Sequence, residues 1–290
     1  MMKKIFDTDL ILNKDGSIYH INLFDEDVAD TIITVGDPDR VEEVSKYFDS
    51  IEIKKGKREF ITHTGHIGKK RLTVISTGIG TDNVDIVLNE LDALVNIDLQ
   101  TRLPRPVLRQ LDIIRIGTSG AVQPDIPIDT LLISSAAFGL DSLMHYYEKS
   151  LDHGQQELLS AFDAIFPENY HIKPYLATAS NELLAMYAGN IPLGITLTAP
   201  GFYAPQGRML RAVQKVPNFI GLIKNFNFNG QRISNLEMET AGIYGLAASL
   251  GHRAISFNII LANRVNDNCN NHPEKVVNEF IQEILGIICR

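Results

Sequence analysis

The sequence predicts an α/β protein built on one mixed central sheet. Short aliphatic or β-branched runs at 31–35, 72–77, 112–116, 131–136, 192–198 and 254–261 read as buried strands. Between them lie stretches whose apolar residues recur three and four apart, the spacing of one helix face. Strands alternating with helices indicate an α/β sheet. No repeat, low-complexity tract or linker-like shift divides the 290 residues, so one domain over 1–290 is expected.

Composition excludes several classes of function. The formal net charge of −8 argues against nucleic-acid binding, which needs a basic footprint. Any anion site must then be a local cluster of arginines. Cys269 and Cys289 show neither metal spacing nor a disulfide framework. Met1-Met2-Lys3-Lys4 has no apolar stretch behind it, since Asp7 and Asp9 interrupt. No run approaches the roughly 18 apolar residues of a membrane span. A cytoplasmic protein without a membrane partner is the expectation.

Tyr19-His20-Ile21 lies in a short alternating segment, where a surface or half-buried histidine is the plain reading. Thr31–Val35 ends at a breaker and runs into Gly36-Asp37-Pro38-Asp39-Arg40, then a helix from Val41. A strand, a glycine turn and a helix start form an anion cradle, because free backbone N–H groups there point at a ligand. Arg40 opposes the helix dipole, which favours acids in the first turn. An anionic partner explains it; a solvated arginine after an Asp-Pro turn is the alternative.

Residues 51–68 read as a hairpin with a basic turn, in which Arg58 begins the second strand. The strand at 72–77 closes on Gly78-Ile79-Gly80. Val84, Val87, Leu88, Leu91, Leu94 and Val95 then mark an amphipathic helix. Residues 96–110, with Pro104, Pro106 and three arginines, read as a surface excursion. The strand at 112–116 carries Arg115 among aliphatic residues, then Gly117-Thr118-Ser119-Gly120. A charge inside a core strand is costly unless paired, so Arg115 requires an anion or carboxylate. Thr118 and Ser119 add hydroxyl donors.

A helical segment is expected near 158–166. The strand at 192–198 leads to Pro200-Gly201-Phe202-Tyr203-Ala204-Pro205-Gln206-Gly207-Arg208. This is either a plain Pro/Gly loop or a pocket. Its aromatics suit a flat ring, and Gln206 with Arg208 suits a base edge bearing two carbonyls about an N–H. Glu237-Met238-Glu239 precedes an apolar run at 243–250 and reads as a helix start. The last strand closes on Ala262-Asn263-Arg264, and a final helix begins at Pro273.

With these segments in order, residues 18–286 resemble the nucleoside phosphorylase family, which includes purine and uridine phosphorylases, and are most similar to its uridine branch. The resemblance implies the family's partly barrel-like sheet flanked by helices. It implies phosphate contacts from Gly36, Arg40, Arg115 and Thr118, with Arg58 lent by an adjacent subunit. It implies ribose contacts from His20 of a neighbouring subunit, Met238 and Glu239, and a uracil pocket of Phe202, Gln206 and Arg208. The catalytic set is then Arg208, Gln206, Arg115 and Glu239.

The purine branch carries an acid after the last strand that protonates the leaving base. Here 261–264 reads Leu-Ala-Asn-Arg, which favours pyrimidines. The implied activity is reversible phosphorolysis of uridine to uracil and ribose 1-phosphate. Phosphate is a co-substrate, with no metal and no organic cofactor, although some relatives hold an interface cation near the residue matching Glu59. Shared sites imply a homodimer or a hexamer, and the longer 96–110 excursion is compatible with a dimer. A purine phosphorylase, a hydrolase-type relative and a non-catalytic nucleoside sensor are the rival readings.

Overall fold

The structure, a computed structural model, describes residues 4–290; Met1, Met2 and Lys3 of the N-terminal reading lie outside the described residues. In chain order the elements are β1 (Thr31–Val35), α1 (Asp39–Ser45), β2 (Ser50–Lys57), β3 (Phe60–Ile67), β4 (Lys70–Ser76) and α2 (Thr81–Asn96). Next come β5 (Ile97–Asp98), β6 (Leu103–Pro104), β7 (Asp112–Ala121), β8 (Thr130–Gly139), α3 (His153–Asp163), β9 (Tyr175–Thr178) and α4 (Asn181–Tyr187). The chain ends with β10 (Leu193–Thr198), α5 (Phe219–Asn225), β11 (Ile233–Glu237), α6 (Thr240–Leu250), β12 (Arg253–Asn263), β13 (Asn268–Cys269) and α7 (Pro273–Ile288).

The main sheet is mixed and runs β13-β12-β8-β10-β11-β7-β1-β4-β3-β2, with β9 beside β8. A further pairing of β12 with β7 closes β7, β12, β8, β10 and β11 into a ring. The open arm β1-β4-β3-β2 leaves that ring through β7.

Helices cover the outer face because the outward residues of the strands are apolar. Val84, Val87, Leu88, Leu91 and Leu94 of α2 pack with Ile243, Leu246 and Ala247 of α6. Val277, Ile281, Ile284, Leu285 and Ile288 of α7 lie against Ile114, Ile116, Ile255, Phe257 and Ile259. Each large aliphatic buried this way contributes roughly 1.5–3 kcal/mol. Leu158 and Phe162 of α3 and Phe219 and Ile223 of α5 cover Ile195, Leu197 and Leu236.

Several expectations change. Arg58 does not begin a strand; it occupies the β2–β3 turn with φ 57°. Tyr19-His20-Ile21 is a turn, not an extended segment. The strand at 112–116 continues through Gly117-Thr118-Ser119-Gly120, since β12 pairs with β7 along its whole length. Glu237 ends a strand, and the helix begins only at Thr240. The excursion after α2 contains the β5–β6 ladder and is pinned to the N-terminal segment. Arg102 donates to the Leu10 carbonyl at 2.6 Å, and Arg105 and Arg109 both pair with Asp25 at 2.9 Å.

Candidate active site

The ring has a polar interior. Side chains alternate along a strand, and the residues between the outward aliphatics are Arg115 and Ser119 on β7, Ser256 and Asn258 on β12, Ser134 on β8, Thr196 and Thr198 on β10, and Asn235 and Glu237 on β11. They bond to one another across the ring. Buried polar groups are tolerable when satisfied in this way.

Arg115 is the centre of that interior. Its Nη2 donates to Glu239 Oε2 at 2.7 Å and lies 2.9 Å from Glu237 Oε2. Its Nη1 donates to Asn258 Oδ1 at 3.1 Å and to Ser256 Oγ at 3.4 Å. Burial opposes the guanidinium charge, but Glu237 and Glu239 outweigh it and hold the pKa above the ordinary value. Gly117, two residues on and on the same face, makes room. A Cβ there would fall 1.8 Å from Nη1 and 2.2 Å from Cζ, so the guanidinium folds back over bare backbone.

The two carboxylates divide their tasks. Glu237 accepts from Thr198 Oγ1 at 2.6 Å, from the Thr240 N–H and hydroxyl at 2.9 Å each, and from the Glu239 N–H at 3.0 Å. It caps α6, as the free N–H groups of a helix start require. Glu239 accepts from Arg115 and from the Gly80 N–H at 2.9 Å. Gly80 reaches it with φ 97°, a backbone conformation that glycine adopts at no steric cost. Burial and the neighbouring Glu237 raise the Glu239 pKa, against the pull of Arg115. A carboxylate offers about four lone-pair sites, so Glu239 retains acceptor capacity for hydroxyls. Met238 is half-buried between the two acids.

The β1–α1 turn meets this cluster. Gly36 lies beside the Gly78 carbonyl, 3.6 Å from where its Cβ would be. Arg40 is half-buried, and among the described residues its side chain makes no hydrogen bond or ion pair. Burial lowers its pKa; Asp37 opposes that, nearby Arg115 adds to it, and Glu239 opposes it. Arg40 and Arg115 therefore feel each other's charge. Thr118 is half-buried on β7, and its hydroxyl has no hydrogen-bond partner among the described residues.

The loop after β10 forms the third part. Arg208 lies over the Phe202 ring, with Cζ 3.8 Å from its centroid. Its Nη1 donates to Gln206 Oε1 at 2.6 Å and to the Phe202 carbonyl at 2.8 Å. The Gln206 amide nitrogen has no partner among the described residues, although the residue is buried. Burial and the like charge of Arg264 bring the Arg208 pKa down to about 10. Arg264 ties this loop to β7. Its Nη1 donates to the Gln206 carbonyl at 3.0 Å, and its Cγ would lie 3.4 Å from a Cβ on Gly120.

His20 and Arg58 are not brought to Arg115. His20 Nδ1 is 2.6 Å from Glu90 Oε1 on α2, and Glu90 also accepts from the His20 and Ile21 N–H groups. Arg58 is exposed, 6.0 Å from the Tyr19 ring. The two form a separate cluster with Tyr19 and Lys57.

A two-guanidinium cluster beside a carboxylate with spare acceptors, and a loop presenting amide and guanidinium donors, suit an oxyanion, a sugar diol and a carbonyl-bearing ring. The family model described as the phosphorylase superfamily matches residues 30–289. The chain belongs to this superfamily. It is 30% identical to the uridine phosphorylase of Thermococcus kodakarensis, over 99% of this chain and 92% of that protein. It is 28% identical to the uridine phosphorylase of Haemophilus influenzae, over 94% of this chain and 96% of that protein. A solved Trypanosoma brucei nucleoside phosphorylase with uridine phosphorylase activity superposes with a TM-score of 0.85 at 29% identity, covering 97% of this chain and all of that one.

For this member of the superfamily, sequence reasoning overlooked Gly117, Gly80, Arg264 and the capping role of Glu237. Gly117 carried a signal: an arginine two residues earlier in a strand shares its face and needs space there. Asn263, the last residue of β12 and not an acid, is structural. Its Nδ2 donates to the Gln123 and Ile126 carbonyls at 2.8 Å each, and its Oδ1 accepts from the Val265 and Asn266 N–H groups at 2.9 Å each.

Proposed function

We propose that this chain is a uridine phosphorylase, a pentosyltransferase that converts uridine and phosphate reversibly to uracil and ribose 1-phosphate. The names and extents of the relatives support this reading. The structural observation that carries it is the buried Arg115–Glu239 pair at 2.7 Å, with Arg40, unpaired among the described residues, at the start of α1 just after the strand that pairs with Arg115's.

In this reading Arg40, Arg115, Thr118 and the Gly36 N–H hold phosphate below the sugar, which is mainly positioning. Glu239 accepts the 2′- and 3′-hydroxyls, and Met238 lies against the ribose. A phosphate oxygen forms the bond to C1′ while the bond to the base nitrogen breaks. The electron pair of that bond leaves on uracil and spreads to its carbonyls. Arg208 and Gln206 donate there, with Phe202 against the ring, so that the developing charge meets fixed donors. The uracil anion then takes a proton from solvent. Phosphate is already anionic, so the mechanism requires no general base, metal or organic cofactor.

His20 and Arg58 complete the site of a second subunit, which makes a homodimer the working unit in the cytoplasm. Their separation from Arg115 within one chain supports this. Among the described residues no helix is long and apolar enough to cross a membrane. Phosphorus NMR of the reaction tests the chemistry. A ribose 1-phosphate resonance that grows as uridine is consumed is expected; free ribose with unchanged phosphate would sink the proposal.

A further inference from the structure

Behind Arg115 runs a line of buried amides and hydroxyls that no substrate group reaches in the reading above. Asn258 Nδ2 donates to Ser134 Oγ at 2.7 Å. Ser134 Oγ lies 2.5 Å from Thr196 Oγ1, which donates to Asn235 Oδ1 at 2.9 Å. Asn235 Nδ2 donates to Ser119 Oγ at 3.0 Å. Asn258, Ser134, Thr196 and Asn235 are fully buried, on four different strands of the ring.

Arg115 sets the direction of the first link. Arginine has donors only, so Asn258 must turn its oxygen to Arg115 Nη1 and its NH₂ to Ser134. Ser134 then accepts, and its own proton goes to Thr196. Thr196 donates to Asn235 Oδ1, which leaves the Asn235 NH₂ for Ser119. Flipping the Asn258 amide would bring one of its N–H groups against an N–H of Arg115. Ser134, packed by Thr196, takes the Asn258 NH₂ and so keeps the Asn258 carbonyl turned to Arg115. Glu239 and Glu237 pull on Nη2, so Asn258 with Ser256 is the opposing hold on Nη1.

We infer that Asn258 is a positioning residue for phosphate use, acting through Arg115, and that Ser134, Thr196 and Asn235 fix its orientation. The inference rests on the reading of Arg115 as a phosphate contact. It predicts a selective defect. When the hold on Nη1 is lost, the guanidinium moves toward the carboxylates and away from phosphate, while the uracil loop is untouched.

The test compares Asn258→Leu, Ser134→Ala and Arg115→Lys with the parent enzyme. KM for phosphate is measured at saturating uridine, KM for uridine at saturating phosphate, and melting temperature alongside. Loss of a hydrogen bond to a charged group predicts a rise in phosphate KM of about tenfold or more for Asn258→Leu. Ser134→Ala, which removes the main acceptor of the Asn258 amide and the partner of Thr196, gives a smaller rise in the same parameter. Uridine KM stays within about twofold in both, a split that a purely structural role would not produce. Equal changes in both KM values, an unchanged phosphate KM, or failure of both variants to fold would overturn the positioning role. Arg115→Lys separates the two levels of the claim. If its phosphate KM rises while the other two variants match the parent, only the role of Asn258 fails. If it too matches the parent, the phosphate reading of Arg115 fails with it.

Discussion

Arg115 and Gly117 behave as one unit, since the guanidinium occupies the space where a side chain at 117 would stand. Gly117→Ala displaces the guanidinium by more than a bond length. Displacements near 1 Å at a positioned group cost about a hundredfold in rate. A loss of at least that size in kcat/KM, with an unchanged circular dichroism spectrum, is expected; near-parental turnover would contradict the contact. Glu239 gives a prediction in pH. Burial and Glu237 raise its pKa, so it protonates at a higher pH than an ordinary carboxylate, and activity falls as pH drops through that value. Removing the like charge with Glu237→Gln shifts this acid limb to lower pH. A limb that stays in place or moves upward would exclude Glu239 as its source. Arg115 was legible in the sequence because a charge in an aliphatic strand demands a partner. Its partners Asn258 and Ser256 were not, because they sit in a strand that reads only as an apolar run.

At the scale of elements, the end of β12 is the informative one. Asn263 uses both ends of its amide on backbone groups of residues 123–126 and 265–266. An acid placed there would face two carbonyl oxygens. We predict that Asn263→Asp does not confer turnover of inosine and instead destabilises the fold by about 1–3 kcal/mol, the cost of leaving buried polar groups unsatisfied. Urea unfolding and an inosine assay check both halves, and inosine turnover would mean that the end of β12 is free to serve the base. The main strands and the helices α2, α6 and α7 were readable because their apolar periodicity is long. Tyr175–Thr178 and Asn181–Tyr187 were not: β9 has four residues, α4 has seven, and neither repeats a pattern often enough to be recognised. The continuation of β7 past Arg115 was also hidden. Gly117 and Gly120 look like a turn, yet they are held in the ladder by β12, a partner more than a hundred residues away.

For the whole molecule, the separation of His20 and Arg58 from Arg115 is the feature with consequences. An arginine that serves a neighbour can be supplied by a different defective chain. Arg58→Ala and Arg208→Ala proteins, each inactive, should regain activity when unfolded together and refolded. Random pairing in a symmetric dimer makes about half the dimers mixed, each with one intact site, so about a quarter of parental activity returns. No recovery would place Arg58 in its own chain's site or outside the mechanism. Ring closure by β12 on β7 explains why Gly36–Arg40, Arg115–Thr118, Phe202–Arg208 and Glu237–Glu239 converge: each follows or lies in a strand of the ring or of the arm beside it. Sequence order alone does not reveal that closure, although it orders the motifs correctly.

The most direct measurement is uracil release from uridine by the purified enzyme, with and without phosphate, with inosine run in parallel. Release that requires phosphate, leaves inosine untouched and falls about 10²–10³-fold in Arg208→Ala is the predicted result. Release at the same rate without phosphate would contradict the roles given to Arg40 and Arg115, and turnover of inosine would contradict the pocket from Phe202 to Arg208.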